Sequence, residues 1–146
     1  MVQLNPYLRF NDGKCREAMN FYKEIFGGDL TFQTVGESPM SKEMPAEAQN
    51  KIMHATLKRG DFQFFASDMM RDKATIGDNI SLALNCESEE QIKTLFEKLK
   101  GGGEVFMPLE KAFWGGLFGM LTDKYGIEWM LNYQEKSEKV DKDLLV

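Results

Sequence analysis

Polar and apolar residues in the first half of the chain follow a pattern that predicts one helix among four strands. Alternation indicates strands at residues 3–10, 29–35, 52–59 and 62–67. Apolar residues spaced by three and four from Cys15 to Phe26 indicate an amphipathic helix. The Asn-Asp-Gly turn at 11–13 supplies the cap of this helix, and the glycine pair at 27–28 ends it.

The second half of the chain repeats this order of elements. We predict strands at residues 79–86, 104–108, 115–122 and 127–133. The helix between the first two has an apolar stripe of Ile92, Leu95, Phe96 and Leu99. Ser88 and Gln91 form a capping box before this helix, and three glycines at 101–103 end it.

The repetition is visible in the letters themselves. FYKEIFGGDLTF at 21–32 parallels LFEKLKGGGEVF at 95–106, with one additional glycine. The pattern therefore predicts an α+β fold of two βαβββ units, residues 1–70 and 79–133, which form a curved, mainly antiparallel sheet within one structural domain. Residues 134–146 form a charged tail with an apolar end.

One connection is too long and polar to be a simple turn. Residues 36–51 contain two prolines and mostly polar side chains, and only the stretch PAEAQ favours a helical turn. Long connections inside compact domains are usually functional. We predict that this segment is a mobile flap near a pocket.

Composition narrows the class of protein. The chain has 146 residues, a net charge of −5 and no long basic run, which argues against a nucleic-acid-binding protein. No apolar run reaches the roughly 18 residues of a membrane span, and we expect no signal peptide and a cytoplasmic location. Cys15 and Cys86 are one possible disulfide pair, but their places in patterned segments favour two buried thiols.

Three segments carry a resemblance to a known family. Residues 5–28, 51–68 and 121–132 resemble the PhnB-like branch of the vicinal-oxygen-chelate superfamily, which includes glyoxalases, bleomycin resistance proteins and dioxygenases. This branch is often labelled 3-demethylubiquinone-9 3-methyltransferase, and the similarity covers about residues 3–133. The resemblance implies the paired βαβββ fold. The chain has no strand-loop-helix glycine motif for a nucleotide cofactor, and we predict no cofactor.

The same resemblance allows a test for a metal site. Enzymes of this superfamily typically hold a divalent ion with His, Gln and Glu side chains. Those ligand positions correspond to Asn5, Phe64, Ser81 and Met130 in this chain. These side chains cannot supply the imidazoles and carboxylates of a tight site, so we predict no metal. If the strand registers are shifted by one residue, His54 and Glu128 are the nearest alternative ligands.

The remaining chemistry suggests an apolar pocket with few polar groups. His54 is the only histidine and a candidate general base, or otherwise a hydrogen-bonded strand residue. The candidate ligand-binding residues are Asn5, Tyr7, Phe64, Asp68, Ser81, Trp114, Glu128 and Met130. We place Asp68 at the pocket mouth or as a strand-end cap. Trp129, Leu4, Leu8 and Phe10 are predicted to face the helices, and Arg9 is predicted to be solvated or ion-paired.

Three functions are consistent with this sequence. The favoured one is a metal-free protein that binds a small organic molecule. The alternatives are a divalent-metal-dependent lyase, isomerase or dioxygenase, and a dimeric interaction module without a ligand. Unpaired sheet edges favour a homodimer, because edges of this kind are normally covered.

Overall fold

The computed structural model describes residues 1–135, which form two compact units. Met1–Thr75 form the first unit, and the described residues from Ile76 onward form the second. The boundary between them falls inside the segment that separates the two predicted units. The predicted charged tail lies outside the described residues, except for Gln134 and Glu135.

The first unit has the predicted βαβββ order. Its elements are β1 (Tyr7–Phe10), α1 (Cys15–Phe26), β2 (Asp29–Thr34), β3 (Ile52–Arg59) and β4 (Phe62–Asp68). The sheet order is β1-β4-β3-β2, with β1 parallel to β4 and the other two pairs antiparallel.

The second unit repeats the arrangement. Its elements are β5 (Leu82–Cys86), α2 (Glu89–Leu99), β6 (Glu104–Lys111), β7 (Leu117–Thr122) and β8 (Glu128–Tyr133). The sheet order is β5-β8-β7-β6, again with one parallel and two antiparallel pairs. The predicted fold class, α+β with two βαβββ units, is confirmed.

Each helix covers one face of its own sheet. The apolar stripe of α1 is buried, with Met19 and Tyr22 fully enclosed against the sheet. In the second unit Phe96 of α2 packs in the same core as Trp129 and Leu131 of β8. Burial of each large apolar side chain contributes roughly 1.5–3 kcal/mol, so each unit is stabilised by the packing of its own helix on its own sheet. The opposite face of each sheet is not covered by the unit's own helix, and we refer to it as the uncovered face.

The first strand is shorter than predicted. It begins at Tyr7 rather than residue 3, because Pro6 has no N–H to donate and takes part in pairing only through its carbonyl, which accepts from Phe65 N at 3.0 Å. The prediction that Leu4 is a core residue is wrong: Leu4 is 97% exposed, whereas Leu8 and Phe10 are buried as expected.

The start of α1 also differs from the prediction. The residue before the helix is Lys14, and it makes no side-chain capping bond. Asn11 instead bonds the backbone of Ala74, accepting from its N–H at 2.8 Å and donating to its carbonyl at 3.1 Å. The free backbone N–H of Cys15 is satisfied by Asp68, which lies at the end of β4.

Four strand boundaries in the second unit also differ, one of them only by a residue, since β8 begins at Glu128 rather than residue 127. β5 begins at Leu82, and the preceding Ile80 is 74% exposed. β6 runs on to Lys111 because two register irregularities accommodate Pro108 on this edge strand. β7 begins only at Leu117; the preceding Gly116 belongs to the turn and lies too close to the carbonyl of Tyr133 for any side chain.

The long connection between β2 and β3 is internally hydrogen-bonded. It contains short 3₁₀ helices at Ser41–Glu43 and Ala46–Ala48, the second of which was expected from the PAEAQ stretch. The Gln49 side chain joins the two turns: it accepts from Ser41 Oγ at 2.9 Å and donates to the Met44 carbonyl at 3.1 Å. A flap built from this segment would therefore move as one piece. Its mobility stays a prediction.

Among residues 1–135, no helix combines the length and the apolar character needed to cross a membrane.

Candidate functional site

The uncovered face of the first sheet carries a cluster of three rings. The rings of Tyr7, His54 and Phe65 belong to three neighbouring strands, with centroid distances of 5.9 Å for Tyr7–His54, 6.4 Å for Tyr7–Phe65 and 5.3 Å for His54–Phe65. Tyr7 is 41% exposed, and His54 and Phe65 are half-buried. His54 Nε2 lies 3.3 Å from Thr56 Oγ1. This ring cluster offers a flat apolar group a stacking surface beside one titratable ring.

Arg9 lies beside the ring cluster. Its guanidinium is 5.1 Å from the centroid of the Tyr7 ring, a cation–π geometry, and the side chain is exposed. Strand alternation predicts Arg9 on this side of the sheet, as a solvated or ion-paired side chain. It makes no ion pair with any acidic side chain of the described chain.

Asn5 lies just before β1. It lines a groove of about 440 Å³ beside the β3–β4 turn. The other lining residues are Gln3, Leu4, Lys58, Gly60, Asp61, Phe62 and Gln63. Most of the residues that line this groove are polar, and the groove lies at one end of the first unit.

The placement of Phe64 in a pocket was wrong by one residue. Phe64 is 3% exposed and meets Tyr22 of α1 edge-on at 5.7 Å, so it belongs to the helix–sheet core. Side chains alternate between the faces of a strand, and the next residue, Phe65, therefore takes the place assigned to Phe64. Phe64 and Phe65 are both apolar, so the alternation of polar and apolar residues does not show which of them faces the helix.

Asp68 is a buried carboxylate with a structural task. It is 4% exposed; its Oδ1 accepts from Cys15 N at 2.9 Å, and its Oδ2 accepts from Ile52 N at 2.8 Å. It therefore caps α1 and ties the start of β3 to the end of β4, which favours the cap interpretation over the pocket one. Asp68 also borders a polar groove of about 510 Å³ beside the start of α1, where Arg16 and Lys51 are among the lining residues.

The uncovered face of the second sheet brings three of the predicted residues together. Ser81 Oγ donates to Glu128 Oε2 at 3.0 Å, so Glu128 has a partner that spacing alone did not reveal. Met130 stands on the same face of β8, in register with Ala83 and Met120 on the neighbouring strands. This face thus combines methionine side chains with a hydroxyl–carboxylate pair.

Asn132 adds an unsatisfied acceptor to that face. Its Oδ1 is buried and accepts no hydrogen bond from any residue in the described part of the chain. Asn132 stands in register between Asn85 of β5 and Phe118 of β7. A buried acceptor without a partner costs about 1–3 kcal/mol, and such atoms are rare in folded proteins. Asn132 is not among the predicted site residues, because nothing in a strand pattern marks an amide oxygen that lacks a hydrogen-bond donor.

The two tryptophans have different surroundings. Trp114 lies in the β6–β7 turn, 41% exposed, and meets Phe118 edge-on at 6.2 Å at the end of the uncovered face. Trp129 is 3% exposed in the helix–sheet core, as predicted, and its Nε1 donates to Asp123 Oδ2 at 2.8 Å. Trp114 is therefore the tryptophan placed where a ligand on this sheet can reach it.

Both cysteines are free thiols, as predicted, but only Cys15 is buried, whereas Cys86 is half-buried. Burial raises the pKa of Cys15 to about 12, and the nearby Asp68 carboxylate contributes to this shift. Burial also raises the pKa of Cys86 to about 11. Both groups stay protonated at neutral pH, so neither is an activated nucleophile.

The side chains at the expected metal positions do not fit a divalent ion. Phe64 points into the core, and the neighbouring Phe65 offers no donor atom either. Ser81 and Met130 are a neutral hydroxyl and a soft thioether, beside the single carboxylate of Glu128. Within residues 1–135, no group of three or more His, Cys, Asp or Glu side chains is placed to hold a metal ion.

The sequence matches a known protein family over almost its whole described length. A family model described as 3-demethylubiquinone-9 3-methyltransferase matches residues 2–132, which is nearly the whole described chain. The chain belongs to this family. Protein YjdN of Escherichia coli (strain K12) is 30% identical over 140 residues, a match that covers 90% of this chain and 95% of that protein.

Solved structures place this family member in the PhnB-like branch. Protein PA1353 from Pseudomonas aeruginosa is 40% identical with a TM-score of 0.83, over 93% of this chain and all of that one (100%). A putative 3-demethylubiquinone-9 3-methyltransferase, PhnB protein, from Bacillus cereus is 30% identical with a TM-score of 0.72, over 90% and 99% of the two chains. A glyoxalase-related enzyme from Fulvimarina pelagi, at 19% identity and a TM-score of 0.59 over 91% and 89%, shares the fold.

Proposed function

We propose that this PhnB-like chain is a metal-free protein that binds a small organic molecule on the uncovered faces of its sheets. The observation that carries the proposal is the ring cluster of Tyr7, His54 and Phe65, which is accessible on a sheet face rather than enclosed under α1. Binding sites for small molecules combine apolar and aromatic surface with a few polar groups that set orientation. Tyr7, His54 and the nearby Thr56 supply that combination.

The choice of side chains supports binding without a metal. In the superfamily enzymes that this chain resembles, imidazole and carboxylate ligands hold the ion. Here Ser81 and Met130 occupy two of those positions, and Phe64 is turned away from the face. His54 is left to act as a hydrogen-bonding or proton-accepting group toward an organic ligand. The metal-dependent lyase, isomerase or dioxygenase is the alternative.

Methyl transfer is the activity named in the description of the family and in that of the Bacillus cereus relative. Such a reaction needs a methyl donor held beside an acceptor. Nucleotide-bearing donors are commonly cradled by a glycine-rich turn between a strand and a helix. The turns into α1 and α2 are Asn-Asp-Gly-Lys and Glu-Ser, which do not have that form. The binding role is the better supported one.

A homodimer in the cytoplasm is part of the proposal. β6 is an edge strand of the second sheet, and its side chains Val105, Phe106 and Met107 are 37%, 55% and 48% exposed. An apolar edge of this kind is normally covered by a partner, and a second copy of the chain is the commonest one. The free thiols of Cys15 and Cys86 fit a reducing compartment. Light scattering at micromolar concentration should give twice the monomer mass of 16.7 kDa.

Metal analysis separates binding from metal-dependent catalysis. Protein purified without chelators should contain no zinc, nickel, manganese or iron in stoichiometric amount, and EDTA should leave its melting temperature unchanged. The double variant Ser81→His with Met130→Glu should then acquire zinc affinity, because it adds two ligands beside Glu128 on one face. One firmly bound ion per natural chain, lost in His54→Ala, would establish the enzyme interpretation instead.

A thermal-shift screen with small aromatic and aliphatic compounds tests the binding role itself. A ligand at about 100 times its dissociation constant adds roughly 2.7 kcal/mol to the stability of the folded protein. Compounds that raise the melting temperature should lose this effect in Phe65→Ala. The matched control is Phe113→Ala, which removes a ring that is 98% exposed in the second unit. If no compound in the screen stabilises the natural chain, the interaction-module alternative replaces the binding role.

A further inference from the structure

A row of four hydrogen-bonding side chains crosses the uncovered face of the first sheet. Arg9 of β1 pairs in register with Ser67 of β4, and Gln33 of β2 pairs with His54 of β3. Ala55 pairs with Ala66, so His54 and Ser67 come opposite each other one residue further along. The four residues therefore stand side by side across all four strands, and we refer to them as the polar row.

The next row on the same face is aromatic at the β1–β4 side. Tyr7 pairs in register with Phe65, and Phe65 pairs with Thr56. The rings of Tyr7 and Phe65 both lie beside the His54 ring, with distances between ring centroids of 5.9 Å and 5.3 Å. A ligand that spans the two rows would meet apolar ring surface at one end and hydrogen-bonding groups at the other.

The charge of this face is positive and is not neutralised locally. The Arg9 guanidinium lies over the Tyr7 ring, and no acidic side chain among residues 1–135 pairs with it. Neither row contains a carboxylate. The acidic residue of β2 on this face, Asp29, stands opposite Lys58 two residues beyond the aromatic row. A guanidinium keeps its charge at every physiological pH and presents paired donors that match a carboxylate.

We propose that this face recognises an aromatic carboxylate, with the ring against Tyr7 and Phe65 and the carboxylate on Arg9. This inference rests on the proposed binding function and names its ligand class. The half-buried His54 ring supplies a further hydrogen-bonding group from the same polar row, whereas Ser67 is buried and is not offered to the ligand. A guanidinium–carboxylate pair is stronger and more directional than a bond between neutral groups. The neutral analogue of such a ligand loses that pair and keeps only the stacking.

The test is an NMR or calorimetric titration of the full chain with benzoate, benzamide and acetate. Benzoate keeps both the ring and the charge, benzamide keeps the ring alone, and acetate keeps the charge alone. Benzoate should bind about tenfold or more tightly than either of the others, a difference of about 1.4 kcal/mol. Arg9→Gln should abolish the preference of benzoate over benzamide. Phe65→Leu, which keeps apolar volume without a ring, should weaken benzoate and benzamide alike.

A matched control exists in the same unit. Arg16 of α1 also lies 5.1 Å from a ring centroid, that of Phe32, and is exposed, but it belongs to the helix side of the sheet. Arg16→Gln removes the same charge and should leave benzoate binding unchanged. Equal losses in the Arg9 and Arg16 variants, or equal affinity for benzoate and benzamide, would overturn the inference. If neutral compounds bind in a Phe65-dependent way without any preference for benzoate, the ligand class is wrong while the binding function stands. If none of the three compounds binds, the ligand class is wrong, and the thermal-shift screen decides separately whether the binding function stands.

Discussion

The two units share one order of elements but start their helices in different ways. α2 begins with a local cap: Ser88 Oγ accepts from Gln91 N at 3.0 Å, and Gln91 Oε1 accepts from Glu87 N at 2.7 Å. α1 has no side-chain cap of its own and receives the Asp68 carboxylate from β4, far along the chain. The same topology thus tolerates a local and a non-local solution to the unpaired N–H groups of a helix start.

The uncovered faces of the two sheets differ in chemistry as well. The first face is aromatic and cationic, with Tyr7, Phe65 and Arg9. The second carries Met130 and the Ser81–Glu128 pair, and it includes the orphaned acceptor of Asn132. Both helix-covered faces are apolar. Repetition of the fold therefore preserves the core-forming face of each unit, while the uncovered faces have diverged, and any difference in ligand preference must originate there.

The largest expected effect is at the non-local cap. Asp68→Ala should lower the free energy of unfolding by about 2–4 kcal/mol, because it leaves the buried N–H groups of Cys15 and Ile52 without an acceptor. Urea denaturation measures it. Asp68→Asn is the matched variant. It keeps one acceptor oxygen, so it should lower the free energy of unfolding by less than Asp68→Ala. If Asp68→Ala is no more costly than an ordinary surface change, Asp68 is not what holds the start of α1.

The pH dependence of stability should reveal the raised pKa of each thiol. An unfolded thiol titrates near about 8.5, whereas the pKa of Cys15 is raised to about 12. The unfolded chain therefore releases this proton first, and the stabilisation, complete below the unfolded pKa, is lost as the pH rises. Natural protein should lose about 2 kcal/mol more than Cys15→Ala between about pH 8 and about pH 10. Cys86, whose pKa is raised to about 11, should contribute almost the same loss over this range, because both folded pKa values lie above about pH 10, and the two thiols should differ only above about pH 11. Identical pH profiles for the natural protein and Cys15→Ala would contradict the raised pKa.

The local cap of α2 should contribute less than the non-local cap of α1. Ser88→Ala removes one acceptor from a solvent-exposed helix start and should cost about 1 kcal/mol in urea denaturation. Ser88→Asp is the control, since it restores an acceptor at the same position and should retain the stability. A loss for Ser88→Ala as large as that for Asp68→Ala would erase the contrast between the two helix starts.

The smallest effect concerns the orphaned acceptor. Asn132→Leu replaces a buried oxygen that has no partner in the described chain by an apolar group of similar size. The melting temperature should stay constant or rise, by the equivalent of about 0.5 kcal/mol, because an unsatisfied acceptor is removed. Asn85→Leu, at the exposed register partner of Asn132, serves as the comparison and should show no gain. A clear loss of stability in Asn132→Leu would show that its amide does have a structural partner.

Features set by neighbouring residues were predictable from the sequence. The helical stripes, the glycine stops, the Ser88 capping box and the two βαβββ units all depend on contacts within a few residues, and the structure agrees with them. The repeat in the letters pointed to the fold class for the same reason. The buried state of Trp129 followed from simple alternation along β8.

Features set by pairing between distant strands were decided only by the tertiary structure. Phe64 and Phe65 are both apolar, and only packing against Tyr22 determines which of them faces α1. The role of Asp68 depends on a bond to Cys15, and the polar row of Arg9, Ser67, His54 and Gln33 exists only because four strands are held in one register. A single sequence encodes local periodicity directly, whereas the strand register is the outcome of packing the whole sheet at once.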